Sequence, residues 1–199
     1  MTLPLKYIFD KMNGICPMPD KLHLLLLQRI ERIELPKNHI VLQPGQICDH
    51  YYYIEKGFLS CHQQIEEKDY YSWLMFPGDI ATSVESFNNR VPSKDTIRTA
   101  DSCILHLLSW KHAEDFSLEY PAFGIIRQRL TNDYYLLANN MILQKNRPPE
   151  KFYEYLKEVY GKNFNIIPRK LLAAHMGISE TLLYEIIKNT RPKKKRGTA

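Results

Sequence analysis

The sequence predicts an α+β protein in which an N-terminal antiparallel β-roll with flanking helices precedes a long helix and a small C-terminal all-α domain. Three observations support this prediction. Between about residues 38 and 108, short segments rich in aromatic and β-branched residues alternate with turn residues, which is typical of antiparallel strands. From residue 121 onward, apolar residues recur at helical spacing. The 199 residues suffice for one large or two small domains.

The N-terminal segment, residues 5–34, is predicted to be helical. Apolar residues recur there at three- and four-residue spacing, which places them on one helix face: Leu22, Leu25, Leu26, Ile30 and Ile33. Pro36 then ends the pattern, because the residue before a proline is biased away from helical backbone angles.

The central segment predicts a jelly-roll or cupin-like roll of short strands with no helix between them. Pro44-Gly45 favours a tight turn, since proline fixes φ and glycine accepts a positive φ. Gly57 interrupts a strand-like segment as a corner would. The predicted strands are 39–43, 51–60, 70–76, 96–99 and 103–108.

Residues 121–146 predict a single helix of about 25 residues, nearly 40 Å long at 1.5 Å per residue. Its heptad-like seam is longer than a small roll can cover, so we expect two copies of the chain to associate along it. Packing against its own domain is the alternative. The predicted dimerisation residues are Ile126, Leu130, Tyr134, Leu137 and Met141.

Residues 166–188 carry the sharpest local pattern, two short helices joined at Gly177. Pro168 opens the first helix, Gly177 ends it, and Ser179 caps the second. This is the pattern of a helix-turn-helix, whose second helix enters the major groove of DNA. Plain bundle packing is the alternative. The candidate DNA contacts in this segment are Arg169, Lys170, Ser179, Glu180, Thr181, Tyr184 and Lys188.

The positive charge of the chain is concentrated at its end. Of 27 basic residues against 22 acidic ones, six lie between Lys188 and Ala199 with no acid, which leaves residues 1–187 at a net charge of −1. A basic tail on a near-neutral body favours a polyanionic partner, with nucleic acid the leading candidate, over a merely solubilising tail. The tail adds the DNA-contact candidates Arg191, Lys193, Lys194, Lys195 and Arg196.

Several classes of protein are disfavoured. No apolar run approaches the roughly 18 residues of a membrane span, and the first residues lack the layout of a signal peptide, so we expect a cytoplasmic protein with no membrane partner. The four cysteines are far apart in sequence, which disfavours a disulfide scaffold or a thiolate metal site. A cupin-type metal enzyme would need a second histidine near His50, where Tyr52 stands. We therefore expect no enzyme activity and no metal site.

The sequence resembles the Crp–Fnr family of bacterial transcription regulators over nearly the whole chain. The glycine framework of the family's cyclic-nucleotide-binding roll is present as 42–45, 52–57 and 76–80. The resemblance implies an effector domain over 1–120, a dimerisation helix over 121–147 and a DNA-binding domain with a basic tail over 148–199. It also implies DNA and a second copy as partners, with RNA polymerase as a further candidate.

The nucleotide-binding segment departs from the family. Where the resemblance calls for Gly-Glu and Arg-Ser pairs to hold the ribose and the cyclic phosphate, this chain has Thr82-Ser83 and Ser93-Lys94. A lysine lacks the planar fork that pairs with a phosphate, so we expect no tight binding of cyclic AMP. No cofactor is predicted, and an unidentified small-molecule effector stays open. The candidate effector-pocket residues are Ser83, Glu85, Arg90, Ser93, Lys94 and Asn139.

The recognition helix departs as well, because Glu180 and Glu185 stand where many relatives place arginine. Carboxylates are unfavourable beside phosphates, although a glutamate can accept a hydrogen bond from cytosine. We expect the basic tail to supply the missing attraction to the DNA backbone. The sequence thus favours a homodimeric DNA-binding regulator. The alternative is a small-molecule-binding or protein-interaction module on the same scaffold that no longer reads specific DNA.

Overall fold

The computed structural model describes residues 3–190. Within this range the helices are α1 (Leu3–Ile15), α2 (Asp20–Arg29), α3 (Val84–Asn89), α4 (Trp110–Glu119), α5 (Pro121–Lys145), α6 (Pro149–Tyr160), α7 (Arg169–Met176) and α8 (Glu180–Thr190), with a 3-10 helix at Gly161–Ile166. The strands are β1 (Glu31–Leu35), β2 (Ile40–Leu42), β3 (His50–Lys56), β4 (Leu59–Ile65), β5 (Lys68–Met75), β6 (Ile80–Ala81), β7 (Thr96–Thr99) and β8 (Cys103–Ser109).

The strands form a roll of two four-stranded sheets, ordered β1-β8-β3-β6 and β2-β7-β4-β5. Within each sheet, neighbouring strands pair antiparallel. The core between the sheets contains Ile54, Leu59, Ile97 and Leu105, all fully buried. The predicted α+β class, with a β-roll followed by helices, is confirmed.

The predicted helix over 5–34 is wrong beyond residue 30. Helix α1 ends at Ile15 and α2 at Arg29, and Glu31–Leu35 forms strand β1, with Ile33 opposite Leu105 of β8. Ile33 and Leu35 alternate with charged residues, the two-residue spacing of a half-buried strand. Its partner β8 follows about 70 residues later in the sequence, so local helical spacing could not reveal the pairing. A short helix, α3, also lies within the segment predicted to contain only strands.

Gly57 divides one predicted strand into β3 and β4. Its φ is +79°, and a Cβ atom at this position would lie 2.4 Å from the carbonyl oxygen of Ser102. Only glycine fits such an approach with a positive φ. The corner therefore turns the chain from one sheet of the roll into the other.

The C-terminal helices are joined to the roll through shared apolar packing. Phe76 of the roll lies 5.3 Å from the ring of Phe58 and 5.0 Å from that of Tyr160 on α6. Leu74 belongs to the same cluster, together with Phe152 of α6 and other helix residues. The helices α6–α8, here called the head, are thus docked on the roll through a second apolar cluster, separate from the core between the sheets. Among residues 3–190, no helix combines the length and apolarity needed to cross a membrane.

Candidate functional site

The turn between α7 and α8 has the geometry that the sequence predicted. Gly177 adopts a left-handed conformation with φ +74°, and the N–H of Ile178 donates to the carbonyl of Ala173 at 3.0 Å. The hydroxyl oxygen of Ser179 accepts from the N–H of Leu182 at 3.1 Å, which caps α8. Two short helices are therefore held in a defined relation by a glycine turn and a serine cap.

Helix α8 packs one face inward and leaves the other in solvent. Leu183 and Ile186 are each 1% exposed. The opposite face carries most of the predicted DNA contacts, and all of them are exposed: Glu180, Thr181, Tyr184 and Lys188, with Arg169 and Lys170 exposed at the start of α7. Glu185 lies on the same outer face. The predicted tail contacts, Arg191 and 193–196, lie outside the described residues.

The predicted effector residues Ser83 and Ser93 meet in a closed hydrogen-bond network. The Ser93 hydroxyl donates to that of Ser83 at 3.1 Å, and Ser83 donates to the Asp95 carboxylate at 2.6 Å. The amide of Gln63 donates to the other Asp95 oxygen at 2.8 Å. Ser83 and Ser93 are 3% and 4% exposed. A carboxylate thus lies beside the two serines that stand where the resemblance calls for the ribose- and phosphate-binding pairs.

The predicted effector-pocket residues near Ser83 and Ser93 are here called the cassette, and its other members contact different groups. The Arg90 guanidinium pairs with Asp49, donates to the carbonyl of Cys48 at 2.9 Å and lies 4.5 Å from the ring centroid of Trp110. Lys94 and Glu85 face each other at 3.9 Å on the surface. The structure therefore brings Ser83 and Ser93 together, while the two cations that could bind an anion, Arg90 and Lys94, are paired with Asp49 and Glu85. Asp95 and Gln63 were missed because the groups bonded to the Asp95 carboxylate, Ser83 and Gln63, are 12 and 32 residues away in sequence.

The seam proposed for dimerisation is covered by the chain itself. Ile126, Leu130 and Met141 are buried at 1%, 9% and 6% exposure. The N–H of Ile80 donates to the hydroxyl of Tyr134 at 2.8 Å, which fixes that side of α5 on the roll. The expected seam is thus corrected: these positions face the protein's own core, and Leu137 is half-buried beside them. Heptad spacing cannot tell which of two apolar helix faces meets the core.

The other side of α5 is apolar and exposed. Its exposed apolar face consists of Ile125, Tyr135, Leu136, Ile142 and Leu143, each between 51% and 67% exposed. Tyr135 and Ile142 are seven residues apart, as are Leu136 and Leu143, the spacing of a coiled-coil seam. The predicted effector residue Asn139 lies on this exposed face rather than beside Ser83.

Metal and thiol chemistry receive no support from the geometry. Within the described part of the chain, no three histidine, cysteine, aspartate or glutamate side chains are grouped so as to hold a metal ion. All four cysteines are free thiols, and three of them are buried. Burial raises the pKa of the Cys103 thiol to about 11 and that of Cys61 further, so both are protonated and unreactive at neutral pH.

Comparison with known proteins relates the chain to others through its fold. No family model matches the sequence, and no curated protein matches it. Among solved structures, FixK2 from Bradyrhizobium japonicum has a TM-score of 0.70 at 9% identity, covering 80% of this chain and 83% of its own. A crp/fnr-family regulator from Eubacterium rectale gives 0.68 at 12% identity, covering 86% and 83%.

A third solved structure extends the likeness across most of both chains. The c-di-GMP-responsive regulator CLP from Xanthomonas campestris has a TM-score of 0.61 at 16% identity, covering 85% of this chain and 91% of its own. The resemblance inferred from the glycine framework is thereby confirmed, and this chain has the fold of the Crp–Fnr transcription regulators.

Proposed function

We propose that this protein is a DNA-binding transcription regulator of Crp–Fnr type, a homodimer whose diverged effector roll sets the placement of two helix-turn-helix heads. The main support is the outward polar face of α8. Its apolar side is packed into the head while Thr181, Tyr184 and Lys188 are exposed beyond a glycine turn. A helix held in this way can enter a major groove. The proposal assigns the protein no enzyme activity and places it in the cytoplasm, where its DNA partner is.

The proposed dimer uses the exposed apolar face of α5. Two parallel copies of a 25-residue helix could cover Leu136, Leu143 and their neighbours, whose exposure is costly in a lone chain. Such a dimer presents two heads to half-sites about 34–36 Å apart on one side of a duplex. RNA polymerase is a further candidate partner if the regulator activates transcription.

The proposed effector is not cyclic AMP. The Asp95 carboxylate and the two serines fill the place of the phosphate, and Arg90 is paired with Asp49. A cyclic phosphate there would lie against a carboxylate with no guanidinium to neutralise it. We expect no heat of binding when cyclic AMP is titrated into the protein in a calorimeter. Micromolar binding would contradict this reading of the cassette.

A second candidate function is supported by the acidic outer face of α8. Glu180 and Glu185 lie beside the positions that would approach phosphates, and no ion pair neutralises them within residues 3–190. Such a face suits a basic protein partner better than a polyanion. In that case the scaffold is an interaction module that no longer reads specific DNA.

One experiment separates the two functions. The full chain and a variant without residues 191–199 are each selected against a mixed genomic DNA pool at several salt concentrations. Sequence enrichment that survives removal of the tail supports a regulator whose α8 reads bases. Equal binding of all DNA sequences that is lost when the tail is removed supports the interaction module. For the full chain we expect log affinity to fall with log salt at about −0.9 per neutralised phosphate, and a flat salt profile would contradict the role given to the tail.

A further inference from the structure

A large cavity in the described part of the molecule follows α5. Its volume is about 1200 Å³, and its walls come from α1, α2, both sheets and α5. Ile8, Phe9 and Met12 of α1 line one side, Trp73 of β5 lines another, and Ile126 and Leu130 belong to the helix itself. Small-molecule sites are commonly concave, mostly apolar and about 300–1000 Å³. This space is therefore large enough for an organic ligand.

The charge of the lining argues against an ionic ligand. Among the described residues, the only permanently charged side chains in the lining are Arg127 and Arg129. Arg127 donates to Glu114 at 2.5 Å and to the hydroxyl of Tyr51 at 3.0 Å, and Arg129 pairs with Asp133 at 3.3 Å. Both cations are thus already neutralised by the chain. An anion entering the cavity would gain no free partner and would lose its hydration.

The polar lining groups are largely paired as well. The Tyr134 hydroxyl accepts from Ile80 at 2.8 Å, and His106 is bonded to Glu55 at 2.6 Å. The hydroxyl of Ser117 donates to the carbonyl of Ala113 at 2.7 Å. A ligand rich in hydrogen-bonding groups would leave them unsatisfied on entering such a space. Apolar contact is what the lining has to offer.

We propose that the cavity between α5 and the roll binds an uncharged, predominantly apolar small molecule. The regulatory meaning of this site rests on the proposed function, because α5 connects the roll to the head. A ligand there would set the distance of α5 from α1 and from β5. Arg127 of α5, which lines the cavity, also donates to Asn88 of α3 at 3.0 Å. Ser83 of the hydrogen-bond network immediately precedes α3, so this helix connects the network with the cavity.

The test uses the full chain and N-phenyl-1-naphthylamine, an uncharged dye that fluoresces in apolar surroundings. We expect saturable binding of one dye per chain. Thr131→Trp and Ala138→Trp place a large ring at two positions that line the cavity, and both should weaken dye binding at least tenfold. Leu24→Trp is the matched control, because Leu24 is 61% exposed on α2 and outside the lining. Thermal melts establish that each variant is folded.

Each other outcome overturns the proposal. Absence of saturable binding, or equal weakening in the control, means that the cavity is not the site. Binding of the sulfonated dye 1-anilinonaphthalene-8-sulfonate as tightly as the neutral one contradicts the uncharged class. Loss of dye binding in Leu136→Asp, which alters only the exposed face of α5, would mean that the space exists only between two copies. DNA binding measured on the same samples is independent: its failure with intact dye binding refutes the proposed function alone.

Discussion

Two glycines of the roll have positive φ angles but different surroundings. Gly57 has φ +79° and Gly45 has φ +87°. A Cβ atom at Gly57 would lie 2.4 Å from the backbone oxygen of Ser102, whereas at Gly45 no atom lies within 4 Å. Both alanine variants suffer the left-handed backbone cost, about 1–2 kcal/mol. Only Gly57→Ala also forces the backbone apart.

We therefore expect Gly57→Ala to lower the free energy of unfolding clearly more than Gly45→Ala, and to lower yield if the corner cannot form. Urea unfolding followed by circular dichroism measures both. Equal losses would show that the approach of residues 57 and 102 is not tight in solution. The sequence indicates that both positions need glycine, but only the folded chain distinguishes them.

His175 is a buried histidine in the head. Burial, reinforced by the nearby Lys145 ammonium, lowers the pKa of its imidazole to about 3. The hydroxyl of Tyr160 lies 2.8 Å from its Nε2 atom. Because the unfolded imidazole has its ordinary pKa of 6.5, the unfolded chain binds a proton between about pH 6.5 and 3 that the folded chain does not. Stability is thus lost as pH falls through this window.

Replacing the imidazole should remove this pH dependence. We expect the wild-type protein to lose about 2 kcal/mol more than His175→Gln between pH 7 and pH 5, at 1.36 kcal/mol for each unit of pKa difference. Urea unfolding of both proteins at the two pH values measures the difference. Because the other histidines are common to both proteins, they cancel in the comparison. Identical pH slopes would mean that His175 takes up its proton as readily in the folded chain as in the unfolded one.

At the scale of single elements, α5 shows what helical spacing can and cannot predict. Its length and ends were predicted closely, at 121–146 against Pro121–Lys145. The face assigned to a partner was wrong, since Ile126 and Leu130 pack on the roll. Apolar residues lie on both sides of this helix. Which side faces the core depends on the position of α1 and the sheets.

The exposed face of α5 yields a prediction about association. Leu136 is 51% exposed, so Leu136→Asp should leave the monomer fold intact while placing a charge in the proposed interface. We expect the wild-type chain to sediment as a dimer at micromolar concentration and the variant to dissociate at least tenfold more readily. Leu118→Asp, at an 84% exposed position on α4, is the control and should stay dimeric. A wild-type monomer at high micromolar concentration would refute the dimer.

The first strand marks the limit of local reading. Glu31–Leu35 was assigned to a helix because Ile30 and Ile33 continue the spacing of α2. In the structure this segment pairs with β8, from Glu31 opposite Leu107 to Leu35 opposite Cys103. Tertiary hydrogen bonds to a strand far along the chain outweighed the local pattern, as strand pairing commonly does.

At the scale of the whole molecule, the head is positioned by a joint core. Phe76, 3% exposed, lies between Phe58 of the roll and Tyr160 of α6. The ammonium of Lys145 donates to the carbonyl of Tyr71 at 2.9 Å and holds the end of α5 on β5. The head is therefore packed on the roll as well as connected to it through the chain.

Removing the central ring should release the head. Phe76→Ala is expected to cost about 3–5 kcal/mol and to expose the connection at 146–149 between α5 and α6. Limited proteolysis should then cut at this connection faster than in the wild type. Phe87→Ala is the control, because Phe87 is equally buried within the roll core and should destabilise the fold without favouring that cut. Equal cleavage patterns in the two variants would show that head and roll unfold together.

The sequence by itself determined the class of fold, the long helix and the glycine turn before α8. Each of these depends on local chemistry: residue spacing, a proline that cannot continue a helix, a glycine that accepts a positive φ. Only the tertiary structure showed that the Asp95 carboxylate bonds to Ser83 and that Arg90 pairs with Asp49. It also showed that the side of α5 first assigned to a partner is buried on the roll. These depend on groups brought together from distant positions, and such contacts exist only once the chain has folded.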